Sequence, residues 1–255
     1  VVIEIVAVVV LPTMLVVAAT AGLGSRRAVR GGGSDADSVG FAGGVLAALF
    51  TVVLAFQVVF AWQVGSDIEA SSATEANALA DAYDHAEVAP EPMRASMRGL
   101  LREYADVVAN REWMTLAERG AADPRLTRIL AETRAAFASL QPTDPVPQFA
   151  REQGLQAVRT IDDSHRSRVE SATGSHVFNN VLLAGTVLGA VLLVAFPLLA
   201  GISARPVNVA VMALLTASLG AVVLIALQLS RPLDGPFGVE PDPFRAALSH
   251  MQAPT

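Results

Sequence analysis

The stretch VGFAGGVLAALFTVVLAFQVVFAWQV, residues 39–64, decides the fold. It contains no Asp, Glu or Arg, and its only side-chain amides are Gln57 and Gln63. Apolar residues occupy every helical phase rather than one stripe, so a helix built from it needs an apolar surrounding on all sides. A hydrocarbon core about 30 Å thick is crossed by roughly 20 helical residues. Residues 39–64 therefore read as a transmembrane span, with Trp62 at headgroup depth and Gly40, Gly43 and Gly44 permitting close helix contact.

Similar runs lie on either side. Residues 5–23, 177–201 and 207–229 are each long and apolar enough to cross. Pro12 and Pro197 sit inside two of them, where membrane helices tolerate a kink. Ala18-Ala19-Thr20-Ala21 resembles a signal-peptide cleavage site. No basic segment precedes it and Arg26, Arg27 and Arg30 follow it, so residues 5–23 are expected to be a retained span. Glu4 is read as an interfacial carboxylate.

The fold class expected is all-α: a polytopic membrane protein with four transmembrane helices and an extramembrane helical bundle between spans two and three. The domains expected are a transmembrane hairpin at 1–64, the bundle at 65–176, a second hairpin at 177–229, and a turn with a short amphipathic tail at 230–255.

Within 65–176 the periodicity is helical. No Gly or Pro interrupts Ser66–Ala89, which continues span two as a stalk until Pro90 and Pro92 end it. Met93, Met97, Leu100, Leu101, Tyr104, Val107 and Val108 form one apolar stripe. Asp123-Pro124 reads as N-cap and first residue of a helix striped by Leu126, Ile129, Leu130, Thr133, Phe137 and Leu140. Three prolines make 141–147 a loop, and a last helix from about Gln148 carries Leu155, Val158, Ile161, His165 and Val169. Asp234-Gly235-Pro236 marks a turn. Phe244, Ala247, Leu248 and Met251 then share a face that lies on the membrane or on the bundle.

Composition agrees and excludes several functions. Hydrophobic residues make up 53% of the chain and mean hydropathy is +0.47. The net charge of −6 argues against a nucleic-acid partner. The absence of cysteine removes disulfides, thiolate metal sites and cysteine nucleophiles. All 18 basic residues are Arg, as expected from a GC-rich bacterial genome.

No nucleophile elbow, phosphate-binding loop or paired-histidine motif occurs. Asp81, Asp84 and His85 share a helix turn, as do Asp162, Asp163 and His165, and both read as solvated faces. The expectation is no enzyme, no cofactor and no metal. Polar groups at membrane depth are the better functional lead: Gln57, Asn179, Asn180, Thr186, Asn208, Thr216, Ser218 and Gln228. The Asn179-Asn180 amides are candidate anion contacts.

The order of three motifs resembles the bacterial bestrophin-like membrane family. They are Glu75-Ala76-Asn77-Ala78-Leu79 after span two, Tyr104-Ala105-Asp106-Val107-Val108 followed by Glu112-Trp113, and Leu233-Asp234-Gly235-Pro236-Phe237 after span four. The family-motif residues are thus Asn77, Leu79, Tyr104, Trp113, Leu233, Asp234, Pro236 and Phe237. The resemblance implies a distant relation to pentameric anion channels whose second span lines the pore. It makes Phe50, Leu54, Phe56, Gln57 and Phe60 the pore or constriction candidates. The implied partners are a lipid bilayer, further copies of the chain and inorganic anions, and the implied location is the cell membrane, multi-pass.

On sidedness two arguments oppose each other. Arg26, Arg27, Arg30 and Arg205 in the short loops outweigh Arg166, Arg168 and Arg231 on the bundle side, placing the bundle outside the cytoplasm. The resemblance implies a cytoplasmic bundle. Beside the channel stand two other readings: a membrane sensor or binding protein with an extracytoplasmic four-helix domain, and a scaffold subunit without transport.

Overall fold

The computed structural model describes residues 36–174, 176–200 and 205–252, and isolated positions between 7 and 19. The expected span at 5–23, Glu4, and Arg26, Arg27 and Arg30 lie wholly or largely outside the described residues. Among the described residues all regular secondary structure is helical, without strands.

Helix α1 runs from Ala36 to His85, α2 from Met93 to Val107, α3 from Trp113 to Arg119 and α4 from Pro124 to Ser139. Helix α5 spans Pro145–Thr173, α6 His176–Leu199, α7 Pro206–Leu229 and α8 Asp242–Gln252. Among the described residues, three stretches are long and apolar enough to cross a membrane, within Gly40–Val88, Pro145–Pro197 and Pro206–Leu229.

The chain divides into two compact units. One contains residues 1–62 and 177–230, the other residues 63–176 and 231–255. In the first, Phe50 of α1, Ala190 of α6, and Leu219 and Val223 of α7 form a small apolar core.

The second unit has a larger core, and local sequence explains most of its helices. Asp123 is extended and its Oδ1 accepts from the Arg125 N–H at 3.0 Å, capping α4 with Pro124 in its first turn. Leu126, Ile129, Leu130, Thr133 and Phe137 are buried, the spacing of one helix face.

Helix α5 begins earlier than its prolines imply. Pro145 and Pro147 both lie inside its first turn. The N–H groups there have no helical acceptor in any case, so proline costs nothing at these positions. Gly154 lets α5 approach α4 closely, since a Cβ there would run into the Phe137 ring.

Between α2 and α3, residues Val108–Glu112 form a π-helical segment. Its extra residue delays the helical phase. Glu112, which an uninterrupted α-helix would carry further round from Tyr104, stays on the buried side.

Helix α8 docks on this core through Phe244, Ala247 and Met251. Hydrogen bonds fix the tail: Tyr83 Oη and Arg102 Nε donate to the Met251 carbonyl at 3.0 and 3.2 Å, and Trp113 Nε1 donates to the Val239 carbonyl at 3.0 Å.

Candidate functional site

In the first unit α1 has two unlike faces. Phe50, Leu54, Gln57 and Phe60 follow one another at helical spacing and turn inward. Phe50 packs on the bare backbone of Gly189, where an added Cβ would come within 2.8 Å of its ring. Leu54 packs against the apolar core. Phe60 meets Phe178 edge-on, with centroids 4.8 Å apart.

The opposite face carries Phe41, Val45, Leu49, Val52, Phe56 and Val59, all exposed. Phe56 is 62% exposed and Trp62 70%. Of the five pore candidates, the fold therefore packs four and leaves Phe56 on the open face.

Gln57 is wholly buried. Its Nε2 donates to Asn179 Oδ1 and to Ser230 Oγ, each at 3.0 Å. Ser230 Oγ donates onward to the Ala226 carbonyl at 2.7 Å, and Asn179 Nδ2 donates to the Ser230 carbonyl at 3.4 Å. The backbone carbonyl can only accept, so it orients the Asn179 amide, which in turn orients Gln57. The group left over is Gln57 Oε1, buried and without a partner. Asn179's N–H is thus committed within the fold, whereas Asn180 is exposed. Thr186 and Thr216 return their hydroxyls to the carbonyls of Leu182 and Met212, four residues back.

The second unit holds a cluster that motif reading did not assemble. Glu75 of α1, Tyr104 of α2, Glu112 of the π segment and Arg168 of α5 are fully buried and His165 nearly so. Arg168 donates from Nε to Glu75 Oε2 at 2.9 Å and from Nη2 to Glu75 Oε1 at 3.2 Å. The same Nη2 lies 2.7 Å from Glu112 Oε2 and 3.1 Å from His165 Nδ1. Tyr104 Oη donates to Glu75 Oε1 at 2.7 Å, and the Asp123 N–H donates to Glu112 Oε1 at 3.3 Å.

Arg168 Nη1 has no hydrogen-bond partner. The guanidinium carbon lies 5.4 Å from the centroids of both Trp113 and Phe244, so the aromatic rings take up that side of the cation.

The electrostatics follow from this geometry. Burial alone would raise the Glu75 carboxyl, but the Arg168 charge, the nearby His165 ring and the hydrogen bonds from Arg168 outweigh it and hold the group below its ordinary value. Burial and the adjacent Glu75 charge push the Tyr104 phenol well above its ordinary value. Burial would lower Arg168, yet the Glu75 charge and its hydrogen bonds raise it instead.

The family-motif residues divide in two. Leu79, Tyr104 and Trp113 are buried in this core and Leu233 packs against it, while Asn77, Asp234, Pro236 and Phe237 are exposed. Of the residues read as solvated faces, Asp84 meets His250 of α8 at 3.3 Å and Asp162 meets Arg166 one turn on at 2.8 Å, whereas His165 is buried, because its stripe on α5 faces the core. Among the described residues no group of three His, Cys, Asp or Glu side chains is arranged to hold a metal.

The signal for the cluster was present as a misfit. His165 and Arg168 are three apart on the buried stripe of α5, and Glu75 lies four before Leu79 on the inner face of α1. Charged residues at core positions of two helices call for each other. The arginine count for sidedness takes Arg168 as a charge beside the spans on the bundle side, whereas it is buried against two glutamates.

Residues 7–244 match the family model described as the Bestrophin-like domain. No curated protein and no solved structure matches the chain.

Proposed function

Because the chain belongs to the bestrophin-like family, a channel-related family, we propose that it is an anion channel formed by several copies in the cell membrane. The four spans at 5–23, 39–64, 177–201 and 207–229 cross the bilayer, and the open face of α1 lines the axis. No catalytic step, metal or cofactor belongs to this reading.

The observation that carries it is the division of α1 into a face packed by its own unit and a face left uncovered. Symmetric copies would turn Phe56 and its neighbours inward and build an apolar ring. Such a constriction gates by dewetting: water, and with it the ion, leaves when the ring is narrow. Phenylalanine edges carry the positive end of the ring quadrupole, so an apolar wall of this kind accepts an anion more readily than a cation. The exposed amide of Asn180 offers a donor at the start of α6. Gln57 offers only a free acceptor and is not an anion contact in this scheme.

Planar-bilayer recordings of the purified full-length chain test the proposal. An anion-selective current that changes in Phe56→Ala is the expected result. No current at any voltage or pH, from protein shown to be oligomeric and inserted, rejects it in favour of a sensor or scaffold.

A further inference from the structure

The buried cluster of the second unit does not balance its formal charges. Glu75 and Glu112 bring two negative charges and Arg168 one positive, leaving −1 in a site from which water is excluded. An unbalanced buried charge is costly. Only one more group in the site can supply the missing cation. His165 sits between the two carboxylates, with Nδ1 3.6 Å from Glu75 Oε1 and Nε2 3.6 Å from Glu112 Oε1. It is also the least deeply shielded member, with 9% of its side chain reached by solvent while both glutamates have none.

The present hydrogen bonds identify the neutral ring. Arginine has donors only, so the 3.1 Å contact from Arg168 Nη2 makes His165 Nδ1 an acceptor. The ring proton then lies on Nε2, directed at Glu112. A second proton, on Nδ1, would oppose the Arg168 N–H and has Glu75 Oε1 as its nearest alternative partner.

We propose that this cluster is a proton-binding site. A proton from solvent adds to His165 Nδ1, breaks the Arg168–His165 hydrogen bond, and leaves a doubly protonated ring bridging Glu75 and Glu112. The site becomes formally neutral, and α5 is then tied to α1 and to the π segment by two carboxylate contacts from one imidazole. Arg168, released from one of the three acceptors that Nη2 serves, closes fully on the two glutamates.

The groups facing His165 come from each neighbouring element. They are Glu75 from α1, Tyr104 from α2 with its ring centroid at 6.3 Å, Glu112 from the π segment, and Arg168 from α5 itself. Helix α4 contributes Arg134, which is paired with Asp162. Trp113 of α3 and Phe244 of α8 flank Arg168 and bring no charge.

The test is NMR of the full-length chain in detergent micelles, with His85, His176 and His250 replaced by Gln so that one imidazole remains. At high pH the ring is expected in the neutral form protonated on Nε2. On acidification both nitrogens become protonated in a single step, and the Arg168 Nε–H and Trp113 Nε1–H resonances move with it. Adding Glu112→Gln removes one of the two carboxylates that the doubly protonated ring bridges, and the joint movement of the Arg168 and Trp113 resonances is expected to be lost.

A ring that stays neutral until the bundle unfolds overturns the proposal. So does protonation that leaves the Arg168 resonance unmoved. Should the triple variant not fold, proton uptake by the unmodified chain and by His165→Gln is compared. One proton more in the former supports the site, and equal uptake rejects it.

Discussion

Arg168 holds the Glu75 carboxylate with two N–H groups, at 2.9 and 3.2 Å, and neither side chain is reached by solvent. The pair joins α5 to α1, and Arg168 reaches Glu112 from the same guanidinium nitrogen. A buried ion pair adds little net stability over an apolar pair, but losing one partner strands the others. Arg168→Met should therefore destabilise the second unit by about 3–5 kcal/mol. Removing the charges at Glu75 and Glu112 in the same chain should restore much of that. Chemical unfolding followed by Trp113 fluorescence checks both.

Acid should weaken the same unit through Glu75. Its folded value lies below the ordinary 4.5. A depressed carboxyl contributes stability that is present above the unfolded value and lost as pH falls through the folded one. Melting temperature should accordingly drop as the pH is taken below about 4.5, and Glu75→Gln should flatten that limb while lowering stability at neutral pH. A variant with the full acid dependence intact would show that another group is responsible.

The two faces of α1 should separate stability from conduction. Phe50→Ala empties a packed site on Gly189 and should cost about 3–5 kcal/mol. Phe56→Ala, on the open face, should change stability by less than about 0.5 kcal/mol while raising the resting current. Thermal scanning of both variants beside bilayer recordings checks the division.

Gln57 should respond differently to two replacements. Gln57→Ala removes the donor to Asn179 and Ser230 and should cost roughly 1–3 kcal/mol. Gln57→Glu places a carboxylate oxygen against two oxygens that now receive an N–H, and should be worse than Ala. If Glu is tolerated as well as Gln, the order of donors in this chain is not the one described.

Sidedness should follow the arginines. Arg168 is buried against glutamates and drops out of the count of interfacial charges, leaving Arg26, Arg27, Arg30 and Arg205 against Arg166 and Arg231. A reporter fused in the 24–38 loop is expected to be cytoplasmic, and one after Thr255 external.

Much of the helical layout was legible because it depends on local chemistry. The uninterrupted apolar phase of residues 39–64, the Asp123-Pro124 start of α4 and the Phe244–Met251 face of α8 are each decided within a few residues. Pro145 and Pro147 misled because proline breaks a helix interior but suits a first turn, and which applies depends on where the neighbouring turn begins. The π segment is invisible to a reading that assumes 3.6 residues per turn throughout. The cluster was hidden for a different reason. Its members are separated by up to 93 residues, and charged side chains on amphipathic helices are ordinarily assigned to solvent. Gln57 and Asn179 each stand out in the sequence as amides in apolar runs, but that they hydrogen-bond to one another is visible only in the fold.

The chain has just two tryptophans, one in each unit: Trp62, 70% exposed, and Trp113, 7% exposed beside the Arg168 guanidinium. That partition supplies a pair of built-in optical reporters. Bromine-labelled acyl chains should extinguish emission from the first and spare the second, whereas titrating the charged core should shift the colour of the second and spare the first. Single Trp→Phe replacements would then let events in the first unit and events in the second be timed against each other in one cuvette, without attaching a dye.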